Sequence, residues 1–156
     1  MAWETEHTSL RENGSEDRSV RAVGRRWRTL QQRADFLRVR AAEQRRVTPG
    51  FVLQAAPVKA DAPSHDGQCL RIGFTASKKV GNAVARNRAK RRLRALADKV
   101  MASSANPAFD YVLIGRAETL SRNFALMESE LRRALQRVCT DTGRRRASST
   151  PQAGTP

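Results

Sequence analysis

SKKVGNAVARNRAKRRLR, residues 77–94, is the most informative stretch of this sequence. Between Arg71 and Arg94 the chain carries nine Lys or Arg residues and no Asp or Glu. A solvated helix usually mixes both signs, because opposite charges four residues apart support one another. A block of one sign repels itself unless a polyanion neutralises it. The pattern therefore predicts a nucleic-acid-binding helix, and the competing interpretation is an ordinary solvated basic surface.

The composition of the whole chain favours the same partner. The 156 residues carry a formal charge of +15 and a pI near 11.5, which is typical of nucleic-acid-binding domains. Aromatic residues make up only 5%, so a surface of many stacked bases is not expected. No secretory pattern and no apolar run of membrane-spanning length is visible. We expect a cytoplasmic protein in which Cys69 and Cys139 are reduced thiols.

Changes in composition divide the chain into three parts. Residues 1–28 are polar, mixed in charge and basic at their end, and residues 141–156 form a basic tail of low complexity. We expect both ends to be disordered arms that touch RNA non-specifically. Residues 29–140 are then the folded RNA-binding domain, which is large enough for one hydrophobic core.

Hydrophobic periodicity predicts three helices and three strands in this domain. In chain order they are helix 30–44, strands 51–56 and 70–77, helix 82–101, strand 109–115 and helix 123–139. That order indicates a small α+β sandwich. Strand 70–77 alternates apolar and polar residues, so one face should be buried and the other wet, with Arg71 and Gln54 on a possible ligand floor. General chirality predicts a right-handed crossover between strands 70–77 and 109–115.

Helix 82–101 has an apolar stripe and a basic ridge beside it. On a helical wheel the stripe contains Ala85, Ala89, Leu93, Leu96, Ala97 and Val100. Arg86, Lys90 and Arg94 recur every four residues along one side of this stripe. The stripe should pack on the sheet while basic groups cover most of the remaining surface.

No protein active site is visible in the sequence. His7 and His65 lie in a polar end and a Pro/Asp-rich loop, without a neighbouring nucleophile pattern. Asp35, Asp98 and Asp110 are isolated, and a helix cap, a solvated helix face and a strand end explain them. Metal-dependent hydrolysis by protein side chains would need several converging carboxylates. We therefore assign no catalytic and no metal-binding residue to the protein itself.

These segments resemble the protein subunit of bacterial ribonuclease P. The resemblance lies in the turn Lys78-Lys79-Val80-Gly81-Asn82-Ala83, in Arg86-Asn87-Arg88 and in Lys90-Arg91, and flanking segments extend it over residues 29–139. It implies an additional short strand near residues 45–48 and hence the order α-β-β-β-α-β-α. The implied fold is a small two-layer α+β sandwich, like the second domain of a small-subunit ribosomal protein. Its crossover is left-handed, and this expectation replaces the general one.

The resemblance implies that the protein is one subunit of the ribonuclease P holoenzyme, an endoribonuclease. Its partners would be a catalytic RNA, which holds Mg²⁺ and performs the hydrolysis, and precursor tRNA, whose 5′ leader is removed. No membrane and no obligate protein partner is implied. The residues expected to bind the catalytic RNA are Lys78, Lys79, Arg86, Asn87, Arg88, Lys90, Arg91 and Arg94. The residues expected in the leader-binding cleft, between the first helix and the sheet, are Phe36, Arg40, Gln54, Asn87, Lys90 and Arg91.

Several alternatives stay open at this point. Phe36 is either a stacking face for a leader base or an ordinary core ring. Arg40 and Gln54 stand where some family members carry aromatic residues, so contact there would be polar. The competing classes are a ribosomal or generic RNA-binding protein without a catalytic partner, a reader of the DNA major groove and an autonomous nuclease. Basic residues on both flanks of the apolar stripe argue against a reader of the DNA major groove. The missing acidic cluster argues against an autonomous nuclease.

Overall fold

The computed structural model describes residues 27–59 and 69–148, in which one sheet is packed with three helices. In chain order the elements are β1 (Trp27–Thr29), α1 (Arg33–Ala41), β2 (Gln44–Val47), β3 (Phe51–Pro57), β4 (Leu70–Ala76), α2 (Ala83–Ser104), β5 (Phe109–Gly115) and α3 (Phe124–Ser148). Single 3-10 turns, Lys78–Val80 and Ala117–Thr119, precede α2 and α3. From α1 onward this is the predicted order α-β-β-β-α-β-α. No helix among these residues is long and apolar enough to cross a membrane.

The sheet has five strands in the spatial order β1-β4-β5-β3-β2. β1, β4 and β5 run parallel, whereas β3 is antiparallel to both β5 and β2. β4, α2 and β5 form the predicted βαβ unit, since β4 and β5 are direct neighbours in the sheet. The predicted α+β class is confirmed, and the left-handed sense of the crossover stays a prediction.

The main core lies between one face of the sheet and helices α2 and α3. Alternate residues of β3, β4 and β5 point into it because successive side chains of a strand face opposite sides. The predicted stripe of α2 is buried there from Ala89 to Val100, and α3 contributes Met127, Leu131 and Leu135. Within this core the hydroxyl of Tyr111 donates to the carbonyl oxygen of Asn106 at 3.1 Å. Burial raises the pKa of Tyr111 well above its usual range.

A smaller cluster on the opposite face holds α1 against the sheet. Val39 is fully buried there with Leu30, Ala56 and Val112, and Phe36 packs at the margin of this cluster. Arg71 and Gln54 are half-buried on the same face. The predicted wet face is therefore only partly open, because α1 covers the region around Arg71 and Gly73.

β1 departs from the sequence prediction, which assigned residues 27 and 28 to a disordered extension. Trp27 is buried, its ring centroid lies 5.3 Å from that of Phe74, and its Nε1 donates to Asp98 Oδ1 at 2.8 Å. Asp98 is exposed on α2, as the sequence interpretation of a solvated helix face expects, and in addition it accepts this hydrogen bond. A three-residue strand is too short to show a period of two, so the sequence pattern could not reveal it.

Two other predicted helices differ from the structure in their boundaries. α1 is shorter than residues 30–44, and α3 passes residue 140 and ends at Ser148, inside the expected tail. Asn82 caps α2 as its side-chain oxygen accepts from the backbone N–H of Ala85 at 2.9 Å. His7, His65, most of the predicted loop and the remaining residues of both predicted arms lie outside the described residues.

Candidate nucleic-acid interface

The turn into α2 places two lysines at the surface. Val80 is buried and fixes the 3-10 turn, whereas Lys78 and Lys79 are exposed. Gly81 follows with φ of 139°, a conformation that side chains with a Cβ rarely adopt. A methyl group on Gly81 would also lie 3.0 Å from the Cβ of Ala85. The glycine is therefore required for the sharp change of direction that presents the lysines beside the first turn of α2.

Of the eight predicted RNA-binding residues, Lys78 and Lys79 lie in the turn before α2 and the other six lie between residues 86 and 94 of α2. Asn87, Arg88, Arg91 and Arg94 are exposed, and Arg86 and Lys90 are half-buried beside the apolar stripe. Within the described ranges no Asp or Glu forms an ion pair with Lys78, Lys79, Arg86, Arg88, Lys90 or Arg91. These eight predicted residues are called the basic surface below.

Arg86 is the most constrained member of the basic surface. Its Nε is buried, and the part of the chain described here offers it no hydrogen-bond partner. An unpaired buried N–H of a charged group costs free energy that an incoming acceptor recovers. Arg86 is thus the member of the basic surface with an unsatisfied buried donor, although the sequence distinguishes it from its neighbours only by position.

Two other arginines of the block have partners inside the protein. Arg94 lies over the ring of Phe74, with its guanidinium carbon 5.7 Å from the ring centroid. Arg92 donates to the backbone carbonyl oxygens of Leu120 at 2.6 Å and of Arg122 at 2.7 Å. Arg92 therefore ties α2 to the segment before α3.

The predicted cleft residues of α1 and β3 lie on the other face of the sheet. Phe36 is half-buried and rests on Gly73, where an added Cβ would come within 2.5 Å of its Cε1. Arg40 is exposed on α1, and Gln54 is half-buried on β3 opposite Val112 of β5. Asn87, Lys90 and Arg91 belong to α2, which packs on the opposite face. The structure therefore separates the predicted cleft set into two groups, and one RNA strand would have to pass the border of the sheet to touch both.

A cluster of four charged side chains joins α1 to the sheet. The carboxylate of Asp110 is completely buried, and Arg38 of α1 and Arg71 of β4 both reach it. Arg71 also binds Asp35, with Nη2 2.8 Å from Oδ2. The cluster formed by Asp35, Arg38, Arg71 and Asp110 is called the ionic clamp below. Asp35 was interpreted as a helix cap and Asp110 as a residue at a strand end. The ion pairs of both residues with arginine correct this interpretation.

Sequence reasoning missed the ionic clamp because its members are far apart in the chain. Arg38 and Asp110 are separated by 72 positions. One signal was present: Asp110 lies in the otherwise apolar strand FDYVLIG, and a buried carboxylate requires a charged partner. In the described ranges, no three His, Cys, Asp or Glu side chains converge to hold a metal ion.

The mixed sheet, the capped basic helix and the basic surface are together typical of a nucleic-acid-binding α+β protein. The chain matches the ribonuclease P family model over residues 25–139. It is 50% identical over 109 residues to the ribonuclease P protein component of Paramagnetospirillum magneticum, covering 70% of this chain and 80% of that protein. The corresponding protein of Ruegeria pomeroyi is 51% identical over 110 residues, with 70% and 84% covered.

Solved structures show the same relationship. The ribonuclease P protein of Staphylococcus aureus superimposes with a TM-score of 0.54 at 28% identity, covering 69% of this chain and 92% of that one. The chain belongs to the ribonuclease P protein family. It therefore functions in tRNA processing as the protein subunit of an endoribonuclease and works with an RNA subunit. A generic RNA-binding protein without such a partner is not favoured.

Proposed function

We propose that the basic surface binds the catalytic RNA of ribonuclease P and that the α1 side of the sheet binds the 5′ leader of precursor tRNA. The hydrolysis is then carried out by the RNA with its Mg²⁺ ions, and the protein supplies no reacting group. The complex acts in the cytoplasm. The product is the mature 5′ end of tRNA.

The observation that carries this proposal is the basic surface, in which six cations have no acidic partner among the described residues: Lys78, Lys79, Arg86, Arg88, Lys90 and Arg91. Each phosphate that it neutralises releases condensed counterions, which makes binding favourable and dependent on salt. The half-buried Arg86 has an Nε without a partner in the described structure, and an outward shift of its side chain would let an RNA phosphate oxygen accept from it. Neutralising phosphates of a folded RNA also reduces the repulsion between its strands, so the active RNA should form at a lower Mg²⁺ concentration.

The α1 side of the sheet has the properties expected of a site for a single strand. Phe36 offers part of an aromatic ring for stacking, Arg40 an exposed cation and Gln54 a half-buried amide. A single aromatic ring between polar groups favours a contact with only a short part of the leader, and stacking on such a ring accepts any base. Mature tRNA lacks the leader, so this contact would distinguish substrate from product.

The roles of the carboxylates support assigning Mg²⁺ to the RNA. Asp110 and Asp35 are occupied by arginine, and Asp98 accepts from Trp27. An arginine held beside a carboxylate competes with a divalent cation for the same oxygens. Mg²⁺ prefers phosphate oxygens and water together with a few carboxylates, and the RNA partner provides the phosphates.

The proposal is tested by cleavage of precursor tRNA at low Mg²⁺. The reaction is run with this protein alone, with a ribonuclease P RNA alone and with both together. We expect mature 5′ ends in quantity only when both are present. Cleavage by the protein alone, or a rate with RNA that the protein does not change, would contradict the proposal.

Paired arginine variants identify the binding surface within the same assay. Arg88→Ala removes an exposed cation of the basic surface, and Arg133→Ala removes an exposed cation of α3 on a different helix. Both changes reduce the net charge by one, so non-specific attraction falls equally. We expect only Arg88→Ala to weaken assembly with the catalytic RNA. Equal effects of the two variants would mean that the net charge, and not the basic surface, determines binding.

A further inference from the structure

α1 depends on tertiary contacts for its position. It has nine residues, and Gln32 at its N-cap makes no side-chain hydrogen bond to the helix. Isolated helices of this length are marginal in water. The small apolar cluster around Val39 holds the helix on the sheet, but apolar contact is not directional and does not by itself fix the angle of the helix.

The ionic clamp supplies directional contacts. Arg38 reaches from α1 to the buried Asp110 and also donates to the carbonyl oxygen of Pro57 at 2.7 Å. Arg71 reaches from β4 to Asp35 of α1, and its Nε lies 3.4 Å from Asp110 Oδ1. The two arginines and two carboxylates sum to zero charge. Planar guanidinium groups bind carboxylates in a fixed geometry, so the clamp determines the orientation of α1.

The clamp and the Phe36 contact form two adjacent points of attachment between α1 and β4. Asp35 and Phe36 are consecutive on α1, and their partners Arg71 and Gly73 lie two residues apart on β4. Residues i and i+2 of a strand point to the same face. A change in the Asp35–Arg71 pair would therefore shift the ring of Phe36 along the surface of Gly73.

We propose that Asp35, Arg38, Arg71 and Asp110 are positioning residues for the leader of precursor tRNA. They act through Phe36: they hold α1 so that one side of the ring rests on Gly73 and the remaining side is presented to a leader base. The clamp also engages Arg38 and Arg71 internally, so phosphates of the leader do not compete for them. This inference rests on the proposed function of the α1 side of the sheet.

The test uses Asp35→Asn, which changes the partly exposed member of the clamp and leaves Asp110 with both arginines. The full-length protein is assembled with the catalytic RNA, and its affinities for precursor tRNA and mature tRNA are measured well below the melting temperature of the variant. We expect an approximately tenfold loss for precursor tRNA, the size of one lost base–aromatic stack. Affinity for mature tRNA should not change.

Glu43→Gln is the matched control. Glu43 is an exposed carboxylate just after α1 and outside the clamp, and its neutralisation changes the net charge equally. Both substitutions make the protein more positive, which alone would strengthen binding of either RNA. A selective loss with Asp35→Asn and not with Glu43→Gln therefore reports the position of α1 and not the charge.

A second background tests whether the clamp acts through Phe36. In a Phe36→Ala protein, Asp35→Asn should cause no further loss of affinity for precursor tRNA, because the ring that the clamp positions is absent. Additive losses would overturn the inference. Arg38→Lys keeps the positive charge but removes the planar guanidinium group. If the Asp35→Asn variant does not fold at the assay temperature, Arg38→Lys is used in its place.

The possible outcomes separate this inference from the proposed function. If the unaltered complex binds precursor and mature tRNA equally, the leader contact itself is refuted and the role of the clamp with it. If the unaltered complex prefers precursor tRNA and Asp35→Asn retains the full preference, only the clamp inference is wrong. An equal loss for both RNAs in a folded variant also overturns it, since a positioning role for the leader affects precursor tRNA alone.

Discussion

Gly73→Ala is the sharpest test of how α1 meets the sheet. A methyl group at Gly73 would lie 2.5 Å from Cε1 and 2.7 Å from Cζ of Phe36, and 3.3 Å from Cγ2 of Val112. Carbon atoms in favourable contact are roughly 3.5–4.0 Å apart. The ring of Phe36 must therefore move by about 1 Å or swing toward solvent. We expect the variant to be less stable than the unaltered protein.

The magnitude follows from the balance of two effects. Overpacking of this kind costs ~1–3 kcal/mol of the free energy of unfolding. Replacing glycine by alanine where the backbone permits it contributes ~0.4–1 kcal/mol in the opposite direction, because the unfolded chain loses freedom. Gly115→Ala on the neighbouring strand β5 is the matched control. Its methyl would have ordinary contacts, 3.4 Å from the Cβ of Ala89 and 3.5 Å from that of Ala76.

Urea unfolding of the two variants provides the measurement. We expect a difference of about 2 kcal/mol between them. With a denaturant slope of roughly 2 kcal/mol per molar, the two midpoints should differ by about 1 M. In a Phe36→Ala background the methyl group has space, so the cost of Gly73→Ala should disappear. Equal midpoints for Gly73→Ala and Gly115→Ala would refute the reasoning, because the Phe36–Gly73 contact would then not constrain α1.

Three further predictions concern other parts of the fold. Arg88→Ala should lower the salt slope of RNA binding by roughly 0.7–0.9 and leave the melting temperature unchanged. Arg92→Ala should lower the free energy of unfolding by ~1–3 kcal/mol, because two carbonyl oxygens lose their donor. RNA binding at several salt concentrations and thermal melting of both variants provide the measurements. Trp27→Phe should cost ~1–2 kcal/mol in thermal melting, and an undiminished cost in an Asp98→Ala background would show that the hydrogen bond between them contributes nothing. Tyr111 is the single tyrosine, and its pKa in the folded protein is raised, so tyrosinate absorbance should not develop near pH ~10 in the native protein. Tyrosine in the unfolded chain ionises near that pH, so the free energy of unfolding should fall above about pH 10. A native absorbance titration at the ordinary tyrosine pKa would contradict the burial of Tyr111.

The parts of the fold that were predictable have long periodic patterns. The stripe of α2 repeats over about four turns, and its members from Ala89 to Val100 are buried as the wheel predicts. β5 was predicted as a strand at residues 109–115, and all its residues except Ile114 are buried. Local patterns of this length are governed by the geometry of one element, so the sequence alone contains the information.

The parts that were not predictable depend on contacts between distant residues. The pairing of Trp27 with Asp98 joins positions 71 apart, and neither residue shows a pattern around it. The same holds for Arg71, which the alternation of β4 placed on an open face and which Asp35 and Asp110 engage in the structure. Charge and alternation indicate which side of an element faces water, but they do not identify the partner that covers it.

These distant contacts have a consequence for synthesis on the ribosome. α1 is made early, but Asp110, the residue that fixes it, follows 72 positions later, and β1 pairs with β4 across residues 27 and 70. Contacts of such high sequence separation must await loop closure and slow the folding of a domain. The N-terminal elements therefore cannot reach their final positions until β5 has left the ribosome. A released chain that ends just before Asp110 would carry the complete basic surface of α2 without a fixed α1, so it would be able to attract RNA without being able to distinguish a leader.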